Sequence, residues 1–228
     1  MKKAAVVVST YNPTESNYNN ILALKELFDS GFDIYVINNN STYLDYIEKI
    51  KQIDFINFED SDYGGAYEAG SLYQVFKKDL YETYMLLQDS MHIKLTAIFY
   101  DYATKDYPNI LCLIGFDSCL DSFISSKDRV WFDEIFPDLI DELKMTPGIL
   151  GNNFLCKRRH LIQMSRIGYF REEKLPKNKD GSQAWERVWA TYFSKYKIPV
   201  RYIDNLGNGM NNQIFHKILQ NRIWKWIQ

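Results

Sequence analysis

The chain is 228 residues long with 46% hydrophobic composition, enough for one sizeable core and closer to one domain than to two. Its net charge of -2 gives no electrostatic basis for nucleic-acid binding. No stretch reaches the ~18 apolar residues of a membrane span. The apolar run at residues 4–8 stops too soon for a signal peptide.

Three cysteines, Cys112, Cys119 and Cys156, lack C-x-x-C spacing, which excludes a zinc ribbon or a thioredoxin-type motif. The expected setting is soluble and cytoplasmic, with reduced thiols. Aromatic residues make up 16% of the chain. Some belong in a core, and Tyr and Trp also suit sugar and base sites, where a flat face stacks and a polar tip hydrogen-bonds.

Residues 4–8 form a valine-rich run that predicts a buried parallel strand, ending in Ser9-Thr10-Tyr11-Asn12-Pro13. Ile21, Leu22, Leu24, Leu27 and Phe28 have helical spacing, stopped by Gly31. A strand at 32–37 is closed by Asn38-Asn39-Asn40-Ser41-Thr42, and a helix at 43–51 leads to a strand at 53–58. The turn Asp62-Tyr63-Gly64-Gly65 precedes a helix at 66–78, and a strand at 84–87 ends in Gln88-Asp89-Ser90.

A strand at 110–116 and an amphipathic helix at 132–143 follow, the latter broken by Thr146-Pro147-Gly148. Next come a short strand at 154–156, a helix at 159–167 and a polar stretch at 174–181 that reads as a mobile loop. A helix at 184–196 and a strand at 199–203 complete the pattern. Alternating strand and helix is the signature of an α/β fold with a parallel sheet. The expected organisation is a single domain, 1–228: a nucleotide-binding half at 1–90, an acceptor-binding half at 91–215 and an amphipathic segment at 216–228.

Parallel sheets bind ligands at the carboxyl ends of their strands. The turn after the first strand has no glycine, so the dinucleotide fingerprint is absent. Gly65-Ala66-Tyr67-Glu68-Ala69-Gly70-Ser71 starts like a phosphate loop but lacks the lysine that follows. A dehydrogenase or an ATPase is thereby disfavoured. A nucleotidyltransferase acting on sugar phosphates needs a basic, glycine-rich loop that Thr10-Tyr11-Asn12-Pro13 does not supply.

Ser9-Thr10-Tyr11-Asn12 after an apolar strand resembles the opening of family 2 glycosyltransferases, which have the GT-A fold. Val36-Ile37-Asn38-Asn39-Asn40-Ser41-Thr42 resembles their second-strand end, and Tyr63-Gly64-Gly65-Ala66-Tyr67-Glu68-Ala69-Gly70 their glycine-bearing helix start. Tyr84-Met85-Leu86-Leu87-Gln88-Asp89-Ser90 sits where that family has a strand ending in D-x-D. Gly151-Asn152-Asn153-Phe154 through Arg158-Arg159, with Gly168-Tyr169-Phe170, resembles the acceptor side, and Trp185-Glu186-Arg187 the catalytic acidic segment. The likeness runs through about four-fifths of the chain, carried by order and spacing.

The resemblance implies transfer of a sugar from a UDP- or GDP-linked donor to a saccharide or glycan acceptor, with inversion. Donor-binding candidates are Thr10, Tyr11, Asn12, Asn39, Gly64, Gly65, Gln88, Asp89 and Ser90. Tyr11 is suited to stack on the base, and Asn39 to hydrogen-bond to it where the family has aspartate. Leaving-group charge needs a divalent metal, Mn or Mg, or basic side chains. The D-x-D is incomplete, with one carboxylate at Asp89, and His216 is the candidate second ligand, ahead of His92.

Glu186 is the candidate general base, with Asp180 its rival. Asn152, Asn153, Arg158 and Arg187 are candidates for diphosphate or acceptor contacts; His160 falls in a basic patch with Arg158 and Arg159. Each has a plainer reading, as a cap, a turn or a solvated charge. Ile218, Ile223, Trp224, Trp226 and Ile227 alternate with Lys217, Arg222 and Lys225. That amphipathic segment suits a membrane surface, a partner domain or a helix closing over the core. The competing functional class is a non-catalytic nucleotide- or carbohydrate-binding module with a degenerate site.

Overall fold

The computed structural model describes residues 2–94, 96–107, 109–116, 126–144, 146–205 and 215–217. The first half reads β1 (Lys2–Thr10), α1 (Glu15–Ala23), α2 (Lys25–Asp29), β2 (Phe32–Asn38), α3 (Asp45–Lys51), β3 (Ile56–Asp60), α4 (Tyr67–Phe76) and β4 (Tyr81–Gln88). There follow β5 (Met91–Ile93), α5 (Ala97–Thr104), β6 (Ile110–Phe116), α6 (Ser126–Ile135), β7 (Gly148–Ile149) and β8 (Phe154–Lys157). The last elements are α7 (Arg158–Arg166), α8 (Lys179–Lys195), β9 (Val200–Asn205) and β10 (Phe215–Lys217).

The main sheet runs in the order β3-β2-β1-β4-β8-β6-β7, with β9 also paired to β6. β3, β2, β1 and β4 are mutually parallel, as is the pair β6 and β9. β8 is antiparallel to both β4 and β6, and β7 to β6, so the sheet is mixed around a parallel half. β1 is buried on both faces. Ala5 and Val7 enter one apolar cluster with α4, α7 and α8, whereas Ala4, Val6 and Val8 enter the other with α1, α2 and α5. A continuous apolar run, rather than an alternating one, is what two covered faces require.

The aromatic excess is largely core. Trp189 sits 5.1 Å from Trp185, 5.0 Å from Phe154 and 5.3 Å from Phe170, centroid to centroid, and all four are fully buried. Trp185, Val188, Trp189 and Phe193 form the inward stripe of α8, as their spacing predicts.

Several boundaries differ from expectation. The helical spacing of Ile21 to Phe28 falls on two helices, α1 and α2, and α1 starts at Glu15 behind Thr14, whose backbone N–H donates to Asn17 Oδ1 at 2.9 Å. The helix expected at 132–143 is α6 followed by a 3-10 helix, Pro137–Lys144, because Pro137 cannot continue an α-helix. The stretch 174–181 is not a free loop: Leu175 and Pro176 are buried, and Asn178 Oδ1 accepts from Gly181 N at 2.9 Å and starts α8 at Lys179. β5 and α5 carry no clear periodicity and were not anticipated. Residues 218–228, which hold most of the amphipathic C-terminal segment, lie outside the described residues, as does Cys119.

Candidate functional site

β2 and β4 lie on opposite sides of β1, so the connections diverge at the carboxyl ends of β1 and β4. Such a switch point opens a crevice in open α/β sheets. Thr10 and Asp89 meet there. Thr10 Oγ1 donates to Asp89 Oδ2 at 2.6 Å, and Asn17 Nδ2 donates to Asp89 Oδ1 at 3.0 Å. One turn on, Asn20 Nδ2 donates to the Asp89 carbonyl at 2.9 Å, and Asn20 Oδ1 lies 3.2 Å from His92 Nδ1. The carboxylate expected to face a metal or ribose is thus engaged with β1 and α1.

The turns after β1 and β2 are joined by Asn12. Its Oδ1 accepts from Thr42 N at 2.7 Å and Tyr43 N at 3.1 Å, and its own N–H donates to Ser41 Oγ at 2.8 Å. Asn39 corrects the expectation of base recognition. It is 2% exposed, and its Nδ2 donates to Ser9 Oγ at 2.9 Å and Ser71 Oγ at 3.3 Å. Its Oδ1 is buried and unpaired. The side chain points into the sheet–α4 junction, away from the rim.

Tyr11 does reach the rim. It is 48% exposed and packs edge-on to Tyr67, with centroids 5.9 Å apart. Lys179 Nζ lies 5.0 Å from the Tyr67 centroid. The glycine pair serves the chain rather than leaving open space. A Cβ on Gly64 would lie 2.3 Å from Asn40 Nδ2, and one on Gly65, at φ +88, 2.5 Å from the Lys177 carbonyl oxygen. Gly65 therefore lets the segment before α8 settle on the turn before α4.

Across the sheet, Gln88 faces α4 and α8. Successive residues at a strand end point to opposite faces, which separates Gln88 from Asp89. Gln88 Nε2 donates to Glu68 Oε1 at 2.7 Å, and Ser182 Oγ donates to Glu68 Oε2 at 3.0 Å. Gln88 N donates to Asn153 Oδ1 at 2.8 Å. Asn152 and Asn153 are buried, and a Cβ on Gly151 would lie 2.4 Å from Gln88 Oε1. Asn153 thus joins this interior network, Asn152 Oδ1 is buried without a hydrogen-bond partner, and Ser90 sits half-buried in the turn between β4 and β5.

Glu186 lies one helical turn beyond Ser182 on α8. Its side chain is 13% exposed, and Arg187 Nη1 donates to Glu186 Oε2 at 3.3 Å. Asp180, in the first turn of α8, faces outward into a crevice of about 340 Å³ shared with Trp131, Glu134 and Asn178. Arg187 is 2% exposed and also donates to the Gln183 carbonyl, so it is a helix-anchoring residue rather than a diphosphate contact. Arg158 is likewise corrected. β8 is antiparallel to β4, with Lys157 opposite Thr83, so Arg158 falls at the amino end of the parallel strands, where it pairs with Asp79.

Asp89 and Glu68 do not share a site for a divalent cation. Asp89 and Glu68 each engage both oxygens with neighbouring donors, on opposite faces of the sheet. Among the described residues, no three His, Cys, Asp or Glu side chains converge. His216 lies opposite His92 in the β5–β10 pair, and its side chain is outside the described residues.

Glu68 and Lys179 are not among the residues that the sequence singles out. A glutamate in a first helical turn reads as a dipole partner, and a lysine in a polar run as a solvated charge. The only signal for Glu68 is its place directly after the glycine turn.

No protein-family model matches the chain. No curated protein matches it in sequence. Solved structures do match in fold. The chain is similar to Mycobacterium tuberculosis glucosyl-3-phosphoglycerate synthase, at 13% identity and a TM-score of 0.56, covering 98% of this chain and 74% of that one. The same synthase in complex with Mn2+, uridine diphosphate and phosphoglyceric acid matches at 11% identity and a TM-score of 0.55, covering 96% and 72%. S. aureus TarS 1-349 matches at 15% identity and a TM-score of 0.50, covering 95% of this chain and 60% of that one. The chain has the GT-A, Rossmann-like fold that its motifs resemble, and no described helix is long and apolar enough to cross a membrane.

Proposed function

We propose that this chain is a glycosyltransferase that moves a sugar from a nucleoside diphosphate donor to a hydroxyl of a saccharide acceptor. The observation that carries the reading is the polar rim at the switch point. The ends of β1, β2 and β4 are joined there by Thr10–Asp89 and Asn12–Thr42, with Tyr11 exposed above them. Tyr11 offers a face for the base, and the rim holds the ribose and diphosphate. The likeness to a synthase solved in complex with Mn2+ and uridine-diphosphate-glucose supports a uridine donor.

In the proposed inverting step, the acceptor oxygen attacks the anomeric carbon as its bond to the diphosphate oxygen breaks. Glu186 takes the acceptor proton, and the nucleoside diphosphate leaves. Asp180 is the alternative base. Against catalysis stand the incomplete D-x-D, with Asp89 its one carboxylate, and the inward Asn39, which favour a binding module on the same fold.

One assay separates the two. Purified protein is incubated with a panel of UDP- and GDP-sugars, and release of the nucleoside diphosphate is followed. The transferase reading expects turnover of one donor, reduced roughly 100-fold or more in Glu186→Gln with nucleotide affinity retained. Nucleotide binding with no turnover on any donor, with or without glycan acceptors, would leave the binding module.

A further inference from the structure

We infer that the donor diphosphate is neutralised by Lys179 on the Tyr11–Tyr67 platform, and that donor binding needs no divalent cation. The inference rests on the transferase reading above and departs from the metal-bound synthase that shares this fold.

A diphosphate in a crevice must meet compensating charge. A cation held by protein needs carboxylate oxygens turned toward it. Here Asp89 accepts from Thr10 and Asn17, and Glu68, 6% exposed, accepts from Gln88 and Ser182. Gln88, the residue before Asp89, is an amide that turns to the opposite face and donates to Glu68.

The positive charge comes instead from α8. Lys179 is exposed, and among the described residues no carboxylate lies within 4.0 Å of its Nζ. Its ammonium sits over Tyr67, 5.0 Å from the centroid. Tyr67 has φ +43, a conformation that costs a bulky side chain energy and is kept only where the surroundings impose it. Here Gly65 seats the Lys177 carbonyl, and Glu68 binds Ser182 of α8. These contacts hold the start of α8 against the turn that presents Tyr67. An exposed lysine is thereby positioned beside the aromatic rim, where a base on Tyr11 would place its phosphates.

The test is calorimetric titration of UDP and of GDP into the protein, in EDTA and in Mn2+, repeated on Lys179→Ala and Lys179→Arg. The expected result is one nucleotide binding with Kd unchanged, within about threefold, between EDTA and Mn2+. Lys179→Ala should weaken it about tenfold, Lys179→Arg should hold it near wild type, and the free nucleoside should bind both equally. Binding that appears only with Mn2+, or that Lys179→Ala leaves unchanged, overturns this inference and leaves the transferase reading standing. No binding of either nucleotide in any condition overturns both.

Discussion

Thr10 Oγ1 and Asp89 Oδ2 lie 2.6 Å apart and join the carboxyl end of β1 to that of β4. Thr10 is 1% exposed and Asn17, the other donor to this carboxylate, is 3% exposed. A buried donor that loses its acceptor bears its full desolvation cost. Asp89→Ala is therefore expected to destabilise the fold by about 2–3 kcal/mol, read as a lower urea midpoint. Any accompanying loss of nucleotide affinity should be the same in EDTA and in Mn2+. An Asp89→Ala protein of wild-type stability would show that the carboxylate is not a structural tie.

Glu68 makes the corresponding tie on the other face. Its two oxygens serve Gln88 Nε2 and Ser182 Oγ, linking β4, α4 and α8. Glu68→Ala removes the acceptor from both bonds and is expected to cost roughly 2–4 kcal/mol. A double-mutant cycle with Ser182→Ala checks the contact. The coupling should be at least about 0.5 kcal/mol, and strict additivity would count against a direct bond.

The legibility of this fold was uneven for physical reasons. β1, β2 and β6 could be read because a strand covered on both faces is an unbroken apolar run. β3 could not be bounded, since Ile53 and Phe55 enter the core from the turn before it. Pattern reports burial, not conformation. Trp185, Val188 and Trp189 announced the inward face of α8, but its true start at Lys179 depended on the Asn178 cap inside a polar run.

Thr10, Asn12 and Asp89 could be placed at the carboxyl ends of the strands because strand-end turns can be located along the chain. Arg158 was misplaced because strand direction is set by pairing partners that no local pattern encodes. β8 runs against β4 and carries Arg158 to the far end of the sheet. Asn39 was misread for a similar reason, since one residue of register at a strand end separates the rim from the core.

Gly65→Ala tests the seat beneath α8. The new Cβ would lie 2.5 Å from a backbone carbonyl oxygen at a φ of +88. A carbonyl cannot rotate aside as a side chain can. The substitution is expected to cost about 1–3 kcal/mol and to shift the segment 175–178. Gly151→Ala meets the Gln88 side-chain amide at 2.4 Å, which can turn at the expense of its bond to Glu68. Gly65→Ala should therefore be the variant that raises protease sensitivity before α8. Equal sensitivity in the two variants would contradict the seat.

Alkaline pH should unfold this protein early. Burial pushes the hydroxyls of Tyr84, Tyr102 and Tyr192 well above the ordinary tyrosine value of 10.0. Tyr81 is raised by burial and then by its bonds to Asp33 and Tyr35, and burial raises the Cys156 thiol above its usual 9.0. In all five the folded chain holds a proton that the unfolded chain releases. Their stabilising contribution is complete below about pH 9 and is lost as pH climbs toward the raised folded values. Each group ionised only in the unfolded chain lowers stability by about 1.4 kcal/mol per pH unit. Lys157 works the other way: burial lowers its value below 10.5, so it adds stability as pH rises toward that point. One opposing group does not balance five, and above 10.5 it no longer contributes. Urea midpoints at about pH 8 and about pH 10.5 should show a marked fall, with a burst of phenolate absorbance accompanying unfolding. A midpoint that holds steady, with those tyrosines titrating in the folded chain near 10, would mean that these hydroxyls are open to water.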